Sequence, residues 1–192
     1  MLIWETGTGK TTLVKEIAAE QNKVLVRLNL NGETGTDELL GKYILRQESG
    51  KSDSETIWID GPMLKAIKEW HRLLLDEINA ALPEVLLAIQ ALAESNDWVL
   101  GSIMLPEKEG EVVTPHEDFR LFATANPAGW AYGGTKDFNS ATLSRFNVLY
   151  VNPLPQAIEK ELLATKFPKL NAKDIHFITD IGTEIRQKYF QE

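Results

Sequence analysis

Trp4-Glu5-Thr6-Gly7-Thr8-Gly9-Lys10-Thr11-Thr12 is the stretch on which the reading of the fold turns. It follows a short apolar start and opens a helical pattern over residues 10–21. Apart from its first position it fits the spacing G-x-x-x-x-G-K-[ST]. Glycines let backbone N–H groups wrap around phosphate oxygens, and the positive end of a helix dipole adds to the attraction. Residues Glu5, Thr6, Gly7, Thr8, Gly9, Lys10, Thr11 and Thr12 are therefore the candidate phosphate-binding set. Lys10 would reach the β- and γ-phosphates, and the Thr11 hydroxyl would face Mg²⁺. The departure is Trp4, which stands where the first glycine is expected. That position is a tight strand-to-loop turn, and a bulky residue there is expected to be strained. Taken alone, the loop also fits a glycine-rich turn that caps an ordinary helix.

Working outward, His71-Arg72-Leu73-Leu74-Leu75-Asp76-Glu77 reads as a buried strand ending in two acids, about 65 residues after the loop. A strand buried on both faces delivers its C-terminal residues to the edge of a parallel sheet, where ligands bind. Asp76 would hold Mg²⁺ through water, and Glu77 would act as general base on the attacking water. An acidic pair capping the helix near Pro83 is the plainer alternative. A third apolar strand, Phe119-Arg120-Leu121-Phe122-Ala123-Thr124-Ala125-Asn126-Pro127, has a polar tip. Asn126 would orient the water, or else serve as a turn residue before the proline. In Ser140-Ala141-Thr142-Leu143-Ser144-Arg145-Phe146, Arg145 ends a short helix. It would act either as an arginine finger on a neighbouring subunit's nucleotide or in a surface ion pair.

Short apolar runs alternate with helical patterns, the signature of βαβ units and a parallel sheet. Strands are expected over residues 24–30, 73–76, 121–125 and 148–151. Helices are expected over 10–21, 62–69, 83–94, 141–145, 156–166 and 173–190. Residues 47–56 read as a loop or short hairpin, and 98–105 with 111–113 as a hairpin arm turning at Glu109 and Gly110. With 192 residues, the chain has room for one domain and the start of a second. There are no cysteines, which excludes disulfides, thiolate metal sites and a cysteine nucleophile. The net charge of -8 weighs against nucleic acid or an anionic membrane as main partner. No signal peptide or membrane-length apolar run is seen, so a cytoplasmic location is expected.

The order of these motifs resembles the AAA+ superfamily of P-loop ATPases. Within it, Thr36-Asp37-Glu38-Leu39-Leu40-Gly41-Lys42-Tyr43, Asp60-Gly61-Pro62-Met63-Leu64-Lys65-Ala66-Ile67 and Leu73-Leu74-Leu75-Asp76-Glu77-Ile78-Asn79-Ala80-Ala81 are similar to the MoxR and midasin, or dynein-related, branch. The strand ending in Asn126 and Pro127 adds a fourth such stretch, and the resemblance covers roughly residues 2–167. It implies an α/β fold: a three-layer P-loop NTPase sandwich whose parallel sheet has strand order 5-1-4-3-2. The N-terminal strand would be truncated and the helical lid only begun, as in a fragment of a longer protein. Residues 1–153 would form the ATPase core and 154–192 the first lid helices. Lys10, Thr11 and Thr12 match Walker A, Asp76 and Glu77 Walker B, Asn126 sensor 1 and Arg145 the finger.

The resemblance further implies ATP and Mg²⁺ as cofactors and a self-assembled ring, usually hexameric. The hairpin insertions would face the ring pore or a partner. MoxR-like ATPases often work with a von Willebrand A domain protein in metal insertion or enzyme activation. Against this remodelling ATPase stand three alternatives. A small-molecule kinase sharing the phosphate loop has no need of an asparagine strand or of Ser-x-x-x-Arg-Phe. A nucleic-acid motor or GTP-specific restriction subunit fits poorly with the net charge. A silent scaffold draws its support from Trp4.

Overall fold

The computed structural model describes residues 1–4, 7–47, 54–96, 99–126, 138 and 140–189. They fall into two compact units, Met1–Val151 and Asn152–Glu192. The first unit is built on five parallel strands, β1 (Leu2–Ile3), β2 (Leu25–Asn29), β5 (Arg72–Asp76), β10 (Arg120–Ala125) and β11 (Leu149–Tyr150). Their order across the sheet is β11-β1-β10-β5-β2, the 5-1-4-3-2 arrangement when counted among these strands alone. The expected strands at 24–30, 73–76, 121–125 and 148–151 appear here with ends shifted by a residue or so.

The alternation of side chains across each strand divides the core in two. On one face Leu2 and Leu74 meet Val14 of α1 (Lys10–Glu20), with Leu25, Phe122 and Val151 around them. On the other face Leu73, Leu75, Ala123 and Ala125 meet a larger cluster. That cluster draws on α2 (Thr36–Leu40), α3 (Pro62–Lys68) and α4 (Pro83–Ala93). Every residue of β5 is buried, and Leu73, Leu74 and Leu75 expose no surface at all. Strand β5 is therefore the spine of the sandwich, and its C-terminal end is fixed from both sides. Pro62 and Pro83 begin α3 and α4, where the missing N–H costs nothing.

Two departures from the sequence reading concern the hairpins. Residues 47–56 read as a loop or short hairpin; instead β3 (Gly41–Gln47) and β4 (Ser54–Asp60) pair antiparallel along seven positions, and residues 48–53 lie outside the described set. The alternation is masked because both faces are half exposed, so no single apolar row stands out. Cross-strand pairs make up for it: Tyr43 opposes Trp58 with rings 5.2 Å apart, and Ile44 opposes Ile57. The base is tied to α3 through Asp60, which accepts from Trp58 Nε1 at 2.7 Å and Lys68 Nζ at 2.8 Å. Burial pushes the Asp60 carboxyl up, but these two hydrogen bonds outweigh it and hold it below its ordinary value.

The second departure is the arm expected over 98–105, which is two short pieces. After β6 (Ser95–Asn96), β7 (Val99–Leu100) pairs with β6, whereas β8 (Ile103–Leu105) pairs with β9 (Glu111–Val113). Trp98 lies outside the described residues. The break falls at Gly101, where a Cβ would stand 2.2 Å from the Ala91 carbonyl oxygen of α4. The chain there packs too tightly on the helix end to continue as a strand. The turn before β9 uses Glu109 and Gly110, both with positive φ, as the sequence suggests.

A short helix α5 (Ser140–Leu143) precedes β11 and ends two residues before Arg145, earlier than the expected 141–145. In the second unit, α6 (Gln156–Lys166) and α7 (Ala172–Tyr189) form a helical hairpin. Arg186 grips Glu159 through two hydrogen bonds of 2.9 and 2.7 Å, a geometry specific to a planar guanidinium. No helix among the described residues is long and apolar enough to cross a membrane.

Because Leu74 packs inside the smaller cluster between α1 and the sheet, Leu74→Ala is expected to cost about 2–5 kcal/mol of stability, read from urea denaturation midpoints. A loss below about 1 kcal/mol would mean that β5 is not the spine of the core.

Candidate functional site

The C-terminal ends of β1, β5 and β10 open onto one cavity of about 340 Å³. It is lined by Gly7, Thr8, Gly9, Lys10, Thr11, Thr12, Arg27, Asp76, Glu77, Thr124 and Asn126. Of the sequence-derived candidates, Glu5 and Thr6 lie outside the described residues. Arg145 is not among the lining residues. All the others meet here.

The loop is shaped by its glycines. Gly7 and Gly9 both hold φ of 87°, a left-handed conformation that side chains resist. A Cβ at either would meet nothing within 4 Å, so both present open backbone to the cavity. Gly9 is the N-cap of α1, and no side chain caps that helix terminus. The helix also carries no acidic residue in its first turn, which keeps the positive end of the dipole available to an anion.

Trp4 corrects the expected strain. Among the described non-glycine residues, positive φ occurs only at Asn22, Trp70, Glu77 and Glu109. The backbone at Trp4 therefore makes no demand for glycine. Its N–H continues the sheet by donating to the Ala125 carbonyl at 3.3 Å. Its indole meets the Tyr150 ring edge-on, with centroids 6.3 Å apart. Its carbonyl accepts from Lys10 Nζ at 2.5 Å. The same ammonium donates to Asn126 Oδ1 at 3.2 Å, so the buried lysine links the loop to the tip of β10.

Asp76 is the most heavily bonded group in the cavity, with a side chain only 5% exposed. The Thr11 hydroxyl lies 3.1 and 3.0 Å from its two oxygens. Thr124 Oγ1 donates to Oδ1, and the Arg27 guanidinium donates to Oδ2 through Nε at 2.7 Å and approaches it through Nη2 at 2.6 Å. A carboxylate this deep needs such partners, since an unpaired buried charge is costly. Hard-cation sites are built from carboxylate and hydroxyl oxygens of this kind. A threonine and an aspartate brought together at the mouth of a phosphate loop thus fit Mg²⁺ with its waters.

Glu77 follows with φ 59° and ψ 41°, a left-handed conformation that costs a non-glycine residue about 1 kcal/mol or more. The turn lifts its carboxylate out of the strand, and the residue is exposed at the cavity. Its N–H is held by Thr124 Oγ1 at 3.2 Å. Thr124 thereby fixes both acids through one hydroxyl. Asn79, buried to 1% exposure, donates from Nδ2 to the Asn126 carbonyl at 3.0 Å and so fixes the backbone of the β10 tip.

Arg145 stands apart. Its Nη1 donates to the Ala141 carbonyl at 2.7 Å, and Nη2 lies 3.9 Å from Glu94, the residue that follows α4. Its Nε is buried without a hydrogen-bond partner among the described residues. The buried hydroxyl of Thr142 accepts from Gln90 Nε2 at 2.7 Å, which anchors α5 to α4.

Two cavity residues escaped the sequence reading, Arg27 and Thr124. Arg27 had a signal: a charge inside the apolar run 24–30 is out of place in a buried strand. Thr124 had a weaker one, a hydroxyl two residues before Asn126 and so on the same face of the strand.

Comparisons with known proteins agree with this architecture. The profile of the AAA domain (dynein-related subfamily) matches residues 1–146. Midasin of Dictyostelium discoideum is 35% identical over 161 residues, which cover 84% of this chain and 2% of that protein. The aerobic cobaltochelatase subunit CobS of a Sinorhizobium species is 34% identical over 166 residues, covering 83% of this chain and 48% of that subunit. The chain thus spans half or less of the length of these two relatives. A solved structure from Cytophaga hutchinsonii, provisionally named an ATPase, superposes with a TM-score of 0.62. It is 19% identical and the match covers 93% of this chain and 52% of that one, a likeness of fold.

Removing the Thr124 hydroxyl would leave the Glu77 N–H and one Asp76 oxygen each short of a partner. Thr124→Val is expected to lower stability by about 1–3 kcal/mol. Thr124→Ser, which keeps the hydroxyl, should retain most of it, both being read from denaturation curves.

Proposed function

Since the chain belongs to the dynein-related subfamily of AAA domains, a family of ATPases, we propose that it binds Mg-ATP in the cavity at the end of β5 and hydrolyses it as one subunit of a ring. One observation carries the reading: the Thr11 hydroxyl stands 3.0 Å from Asp76 while Lys10 of the same helix turn reaches Asn126 at 3.2 Å. Loop, acid and polar strand tip converge on a single space, as phosphoryl transfer by positioning and electrostatics requires.

In this mechanism the open backbone of Gly7 and Gly9, with Thr8 and Thr12, wraps the phosphates, and Glu5 and Thr6 complete the loop. Lys10 turns from the Trp4 carbonyl and Asn126 to the phosphate oxygens. Thr11 and Asp76 would hold Mg²⁺, which would supply neutralisation of charge on the phosphates. The exposed Glu77 carboxylate takes a proton from the attacking water, and Asn126 aligns that water. Arg145 lies off its own subunit's cavity and serves the neighbouring subunit's nucleotide. Residues 154–192 would be the start of the helical lid that the family carries.

The wider role follows the same family. The likeness to a cobaltochelatase subunit supports a MoxR-like remodelling ATPase, whose ring turns hydrolysis into a change of shape in a partner. A von Willebrand A domain protein is the kind of partner such a ring would take, for metal insertion or enzyme activation. The net charge of -8 supports a protein client over nucleic acid.

The first test is thermal stability with and without Mg-ATP, beside Lys10→Ala. Ligand at a hundredfold excess over Kd adds about 2.7 kcal/mol to the native state. That corresponds to a rise in Tm of roughly 5–10 °C for a domain of this size. Lys10→Ala should abolish the rise; an equal rise in the variant would refute the phosphate assignment. The second test is turnover. Glu77→Gln is expected to retain bound ATP while hydrolysis drops about 10²–10⁴-fold. Arg145→Ala should bind ATP normally yet fail to hydrolyse it in the assembled ring, and wild-type turnover would exclude the trans role.

A further inference from the structure

The mechanism above makes no use of Arg27, yet this residue lines the cavity and makes the closest contacts to Asp76 of any basic group. Both its Nε and its Nη2 lie within 2.7 Å of Oδ2. Oδ1 is meanwhile taken by Thr124, and Thr11 bridges both oxygens. Both oxygens that a cation at Asp76 would use therefore already have partners.

The two partners of this ion pair differ in freedom. The Asp76 side chain is 5% exposed and is fixed at the end of a strand buried on both faces. The Arg27 side chain is 46% exposed and projects from β2, which lies at the edge of the sheet and pairs on one side only. The guanidinium can leave; the carboxylate cannot. A divalent cation and a guanidinium at one carboxylate oxygen repel each other.

We propose that Arg27 is an internal counter-cation that occupies the metal-facing oxygen of Asp76 and is displaced when the metal enters, so that Arg27 competes directly with the divalent ion. This rests on the reading of Asp76 and Thr11 as the metal-holding pair. Before the metal binds, the carboxylate has a balancing charge, and loading of the cavity and release of the β2 arginine become one event.

The test is Mn²⁺ binding without nucleotide, followed by the electron paramagnetic resonance signal of the free ion. Removing the competitor should tighten binding, the opposite of what damage to a site would do. Arg27→Ala, and Arg27→Gln as a second variant that keeps polar bulk without charge, are each expected to bind Mn²⁺ about tenfold or more tightly than wild type. The gain should vanish in Arg27→Ala/Asp76→Asn. Affinity that is unchanged or weaker in both single variants overturns the proposal, and binding undetectable in all proteins counts as unchanged. A gain that survives in the double variant overturns it too, because the ion would then sit elsewhere. The underlying metal assignment is checked separately by the ATP-dependent rise in Tm. If Mg²⁺ strengthens that rise in wild type and not in Asp76→Asn, the assignment stands whatever Arg27 does.

Discussion

A carboxylate at the end of a strand buried on both faces has to find its partners inside the protein. Asp76 is that carboxylate, and the elements around it are arranged by what it needs. Thr11 comes from the first turn of α1, Thr124 from β10 and Arg27 from β2. Three segments, 65, 49 and 48 residues from Asp76 in sequence, are drawn to one pair of oxygens. The price of burying a charge is thereby met with hydrogen bonds from groups that also line the cavity. Stability and the proposed chemistry share the same atoms.

The cavity is rigid where positioning matters and less constrained at its edge. Thr124 ties Asp76 to the Glu77 backbone, and Asn79 ties that segment to the β10 tip. Lys10 closes the circle from the loop to Asn126. The positive φ at Glu77 is the local strain in this network, tolerated because the neighbouring β5 and the Thr124 hydroxyl hold the turn on both sides. Arg27, on the edge strand with its side chain 46% exposed, has more room to change partners than the buried Lys10.

The hairpins and the helical pair belong to a different register of the molecule. Tyr43, Leu45 and Ile59 on the first hairpin and Met104 and Val112 on the second are exposed apolar residues on elements that add nothing to the sheet. The alternation rule that finds core strands does not apply to such elements, because neither face is fully buried. Their pairing depends on opposite residues meeting across the hairpin, as Tyr43 and Trp58 do, and such pairs carry no period along the chain.

The sequence by itself determined the parallel sheet, because continuous apolar runs alternating with helical patterns are local features that physical chemistry constrains tightly; the strand order came only with the resemblance that the glycine spacing and the Asp-Glu and asparagine strand ends carry. It also named nine residues that the fold brings to one cavity, since a strand end in a parallel sheet has only one edge to reach. Tertiary structure decided the rest. That Trp4 sits without a left-handed backbone, that Gly41–Gln47 and Ser54–Asp60 pair along seven positions and that the pairing changes at Gly101 all depend on neighbours distant in sequence. The roles of Arg27 and Thr124 belong to the same class. A charge within an apolar run acquires meaning only when folding shows which buried group it neutralises, and that partner lies 49 residues away.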